Sequence, residues 1–219
     1  MLLGLAGGVH AAPPEAAIIP LDQYKNDTAR SLATTYFPLL RQIHDNVYHC
    51  LPWLDIKEHG LGFRIPRAAQ GDSLYLSIWV WVEQQITPDF ASLSPARRAS
   101  AMFSRYGVDL LRRLSNHPQL ASEQGLTGYS VVLSWLKPDR RTKSGAEVVA
   151  ETLAVSIDKT TVQRFFAQQV TPAEFADRAT VAVFDGKSEL GRLALEIWED
   201  SFTATFKLKD YTPDPSHRC

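Results

Sequence analysis

The sequence predicts an α+β domain built on an antiparallel or mixed sheet, with its elements in βαββαβ (ferredoxin-like) order, extra C-terminal strands and an N-terminal helix. Three observations predict it. Residues 73–83, "SLYLSIWVWVE", alternate strictly between two kinds of side chain, as a strand requires. Residues 95–115 repeat apolar positions at helical spacing. Further short β-rich runs follow, interrupted by one more helical stretch.

Residues 1–11, "MLLGLAGGVHA", are apolar and small, and Val9-His10-Ala11 fits a small-x-small cleavage site. They read as a signal peptide that lacks its charged n-region, which predicts an exported, periplasmic or secreted protein. Residues 12–26 hold Pro13, Pro14 and Pro20 and are expected to form an extended leader. The single domain is expected to span 27–210, with an extended tail over 211–219. Asn26-Asp27-Thr28 fits the N-glycosylation pattern, relevant only in a eukaryotic secretory pathway.

From Asp27, read as the N-cap, Leu32, Tyr36, Leu39, Leu40, Ile43, Val47 and Leu51 recur at three- and four-residue steps. Pro38 must kink or split that helix, and Pro52 ends it. Residues 57–72 read as a loop with a short edge strand at 62–65. In the strand over 73–83, Leu74, Leu76, Ile78, Val80 and Val82 face one way, and Ser73, Tyr75, Ser77, Trp79, Trp81 and Glu83 the other. Ser94-Pro95 opens the 95–115 helix as N-cap and first helical residue, and Ala99, Phe103, Tyr106, Leu110 and Leu114 form its buried stripe. Strands are expected at 127–137 and 151–157, and a helix and a helical turn near 160–168 and 172–177. Further strands are expected at 179–184, 192–199 and 202–208, with a turn at Asp185-Gly186. The linker "PDRRTKSG" reads as a hairpin or long loop.

Two near-identical stretches, "QQITPDF" at 84–90 and "QQVTPAEF" at 168–175, look like a repeat. Their flanks differ, and each carries Thr-Pro followed by an acid. That is the grammar of a helix start, with a capping box in Thr171-Pro172-Ala173-Glu174.

The chain has 219 residues, 45% of them hydrophobic and 21% charged, which suits a globular domain large enough for its own core. The formal net charge of -1 speaks against nucleic acid as a partner. No run of about 18 apolar residues is present, so no transmembrane span is expected. Phosphate-loop, dinucleotide, nucleophile-elbow and zinc motifs are missing, so no cofactor, metal or catalytic residue is assigned. Asp45 and His49 lie one helical turn apart beside His44 and Cys50, but two ligands make no metal site.

Three candidates remain. Tyr75, Trp79 and Trp81, joined by Trp135 if the register allows, could form an aromatic binding face. The competing expectation is that the N-terminal helix covers this face and makes it a second core layer. Arg98, Arg105 and Arg112, seven residues apart on one helix face, could form a patch for an anion or acidic partner. Cys50 and Cys219 could pair as a disulfide. Together these predict a non-catalytic binding or structural subunit in an envelope or extracellular protein assembly. The alternatives are a small exported hydrolase or metal-dependent enzyme without a recognisable motif, and a small-ligand carrier.

Overall fold

The computed structural model describes residues 14–51, 53–67, 72–83, 88–136, 150–186, 188–192, 195 and 219. Its centre is a six-stranded mixed sheet: β1 (Leu54–Arg64), β2 (Tyr75–Val82), β3 (Gly128–Leu136), β4 (Ala150–Asp158), β5 (Thr180–Asp185) and β6 (Ser188–Arg192). The strands lie side by side in chain order. β2 and β3 are parallel, and every other neighbouring pair is antiparallel.

The expected α+β class is present, but the ferredoxin-like arrangement is not. The chain does pass through β2, helices, β3, β4, helices and β5 in βαββαβ succession. A split βαβ unit would place another strand between the two parallel ones. Here β2 and β3 are direct neighbours. Succession along the chain fixes the elements, while pairing depends on long-range contacts that succession does not encode.

Helices α2 (Asp27–Thr35) and α3 (Phe37–Cys50) meet at Tyr36, so the expected Pro38 break is a full split, with Pro38 in the first turn of α3. The N-cap is Asn26 rather than Asp27: its Oδ1 accepts from the Ala29 N–H at 2.9 Å. The segment before it is not a plain extended leader. It holds α1 (Pro14–Ala17) and a 3₁₀ turn (Leu21–Gln23), and Ala17, Ile18, Ile19 and Tyr24 are buried in the core.

β1 is much longer than the edge strand expected at 62–65. Its register slips between Ile56 and Leu61, where His59 takes a φ of 52°. That left-handed residue interrupts the alternation and hides the strand from a periodicity count.

The helix over 95–115 is three pieces in one run: α5 (Pro95–Met102), a π turn (Phe103–Gly107) and α6 (Val108–Ser115). A side chain at Gly107 would meet the Phe103 ring at 2.3 Å, so glycine permits that tight packing. Shorter helices α4 (Pro88–Ala91) and α7 (Pro118–Ser122) complete the β2–β3 crossover. α8 (Lys159–Phe166) and α9 (Pro172–Arg178) lie between β4 and β5. Ser94 caps α5, and Thr171 and Glu174 form the full capping box of α9. The other Thr-Pro start, at Thr87, lies outside the described residues. So do the expected signal peptide, the linker hairpin and the strand at 202–208.

One sheet face carries the core. Leu76, Ile78 and Val80 stand level with Phe63, Leu61 and Ile56 of β1 and with Tyr129, Val131 and Leu133 of β3. All nine are buried. α2 and α3 pack on β1, α6 and the π turn on β3, and α8 on β3 and β4, and their buried residues join the same core. The N-terminal helices therefore cover the Leu-Ile-Val row of the sheet, not the aromatic row. Among the described residues no helix is long and apolar enough to cross a membrane.

Candidate functional site

The outer face of the sheet follows from the same register. Strand neighbours point the same way, so residues opposite one another form rows across the sheet. The first row is Ser77, Ser130, Ser156 and Thr180. The second is Trp79, Val132, Ala154 and Ala182. The third is Trp81, Ser134, Thr152 and Phe184. Small side chains over β3 and β4, between Trp79 on β2 and Phe184 on β5, leave a trough. Its volume is about 550 Å³, within the range of ligand sites. Arg64, Ile65, Pro66 and Arg67, at and just beyond the end of β1, form one rim.

Trp79 lines this trough, and both Trp79 and Trp81 are half-buried. The Trp79 indole N–H donates to Ser134 Oγ at 2.8 Å, which lays the ring toward β3. The Lys57 ammonium sits 3.8 Å from the Trp79 ring centroid and 4.8 Å from that of Trp81. Burial lowers the Lys57 pKa. Tyr75 is also half-buried and lies against Gly128, where a Cβ would meet its Cε1 at 2.7 Å. Burial, then the Asp158 charge, raises its phenol pKa.

The floor is internally paired. Ser130 and Ser156 share a hydrogen bond of 2.9 Å, and Ser134 and Thr152 another of 2.9 Å. Arg64 donates to the His59 carbonyl. Neither Arg64 nor Arg67 pairs with a carboxylate among the described residues.

Trp135 does not join this face. It is adjacent to Ser134 and therefore points the other way, into the core, where it is 1% exposed. Its N–H donates to Glu151 Oε2 at 3.0 Å. Glu151 is opposite Trp135 in the ladder and is itself buried.

The three arginines do not form one patch. Arg98 turns inward and holds Glu151 with two nitrogens, Nε to Oε2 at 2.8 Å and Nη2 to Oε1. Its Nη1 donates to the carbonyls of Ala91 and Leu93. Arg105 stands 5.3 Å from the Tyr106 ring, and Arg112 4.8 Å from the Phe166 ring. The π turn between Arg98 and Arg112 breaks the period that aligned them on a helical wheel.

Cys50 and Cys219 are at disulfide distance and joined, with Cα atoms 5.4 Å apart. A second cleft, about 500 Å³, lies beside Cys219 between α3 and α6. It holds Asp109, Arg113 and His117. Arg113 donates to Asn46 Oδ1. Burial lowers the His117 pKa, and the hydrogen bond it makes is to the Arg113 backbone, not to Asp109. Among the described residues the cleft shows no base oriented by a carboxylate. On α3, His44 contacts Asp45 at 3.3 Å and stacks on Tyr48. Among the described residues no three His, Cys, Asp or Glu side chains converge as a metal site would require.

The trough itself was not visible in the sequence. Its floor comes from Ser, Thr and Ala on β3, β4 and β5, ordinary outward residues until the register aligns them. Comparison with protein-family models, curated proteins and solved structures finds no match, and the site stands on its own geometry.

Proposed function

We propose that the protein is an exported, non-catalytic binding subunit of an envelope or extracellular protein assembly, and that the outer sheet face is its recognition surface. One observation carries this reading. Among the described residues the helices pack on one side of the sheet, and the other carries Tyr75, Trp79 and Trp81 half-buried, with Trp79 lining a trough. Aromatic rings at and beside a concavity are typical of binding anchors, because they offer large area at low entropic cost. The disulfide and the apolar stretch at 1–11 support export.

The test is a photo-crosslinking amino acid placed at Trp81, with one at Tyr48 as control. Tyr48 is 53% exposed on α3. The reading expects one protein captured from Trp81 and not from Tyr48. The captured protein, once purified, should bind the chain in titration. Trp79→Ala and Trp81→Ala should weaken it at least about tenfold. Neither change should cost more than about 3 kcal/mol, since neither ring is fully buried. Capture from Tyr48 alone, or titration insensitive to both changes, would sink the proposal.

A further inference from the structure

We infer that the trough receives an anionic amphiphile, a single apolar chain ending in a carboxylate or phosphate. This rests on the outer face being the recognition surface and names what fits its concavity.

The chemistry of the lining selects the ligand. A sugar or a peptide brings many donors and acceptors, and a site for it must answer them. This floor answers few. Ser130 is bound to Ser156, Thr152 to Ser134, and Ser134 also accepts from Trp79. These bonds take up part of the hydroxyls' capacity within the floor itself. Val132, Ala154, Ala182 and Phe184 add methyl and aromatic surface. Only Ser77 and Thr180, at the two ends of their row, bring hydroxyls with no mutual bond. Such a floor favours an apolar body.

The rim selects the head. Among the described residues lining the trough, the only charged ones are Arg64 and Arg67, both positive and neighbours on the same rim. Arg64 uses one nitrogen on the His59 carbonyl and keeps the rest of its fork. Arginine forks are suited to carboxylate and phosphate. A head there and a chain across β3 and β4 toward Phe184 match the trough at both ends. Its volume, about 550 Å³, admits one such chain.

The test is equilibrium dialysis of the full chain against palmitate, palmitoyl lysophosphatidate and hexadecanol, each below its aggregation limit. The expected result is one-to-one saturable binding of palmitate or of palmitoyl lysophosphatidate. Whichever is tighter assigns the head as carboxylate or phosphate. Hexadecanol, with the same chain and no charge, should bind at least about tenfold more weakly. Arg64→Gln and Arg67→Gln, separately and together, should weaken the anion and leave hexadecanol unchanged. Val132→Trp, which fills the floor, should abolish binding of all three, with a thermal melt confirming that it folds. Hexadecanol binding as tightly as the anions would overturn the proposal. So would anion binding that survives Val132→Trp, or no saturable binding of either anion. Failure here with capture at Trp81 intact removes the amphiphile and leaves the recognition face. Failed capture with palmitate bound removes only the protein partner.

Discussion

Replacing Arg98 with methionine tests the buried centre of the helix-to-sheet packing. The change keeps a long apolar stem and removes the guanidinium. Glu151, 2% exposed, then retains the Trp135 N–H but loses both bonds from Arg98. The carbonyls of Ala91 and Leu93 lose a shared donor as well. Breaking a buried pair from one side leaves an uncompensated charge and costs about 3–5 kcal/mol. Urea unfolding at neutral pH, followed by tryptophan fluorescence, should show that loss as a lower midpoint at unchanged slope. The double variant Arg98→Met/Glu151→Gln removes the charge and keeps an acceptor for Trp135. It should regain at least half of the loss, because a neutral amide is far cheaper to bury than a lone carboxylate. A single-variant loss under about 1 kcal/mol would refute the buried-pair reasoning. A double variant no better than the single would refute it as well.

Three further outcomes are expected. Ile78→Ala, at a fully buried site between Leu61 and Val131, should lose about 2–5 kcal/mol in the same urea assay. Reducing the Cys50–Cys219 bond should lower stability by about 2–4 kcal/mol, and equal thermal midpoints with and without reductant would contradict it. Burial, with a hydrogen bond and like charge from Asp55, pushes the Glu83 carboxyl from 4.5 up to about 7. A raised folded-state value means its contribution is complete below about 4.5 and is lost as pH rises through about 7. Stability measured across that window should therefore fall with pH, and Glu83→Gln should flatten the curve.

How far the sequence reaches can be judged residue by residue. The two faces of β2 were legible because strict alternation leaves one assignment, and the buried Leu76, Ile78 and Val80 follow it. The capping box at Thr171 was legible because capping is local. Trp135 was not, since its face depends on which β3 residue meets Trp81, and that residue is Ser134. Arg98 looked solvent-facing on a helical wheel, and only the position of Glu151 on β4 draws it inward. Only the last residues of β1 are legible, as the edge strand at 62–65, because a left-handed His59 breaks the alternation before them. The trough lies beyond any local pattern, being spread over β2, β3, β4 and β5.

The sequential strand order has a consequence for assembly. Each strand pairs with the one just before it in the chain. Such a sheet can extend by one edge at a time, and no step needs a closure longer than a single crossover. The exception is the covalent link. Cys50 precedes every strand, and its partner lies 169 positions further on, past β6. None of the described strand pairs is itself bridged by the disulfide, which ties the segment before β1 to a residue beyond β6. In the chain-entropy picture, a clasp across so long a loop works chiefly by restricting the unfolded chain.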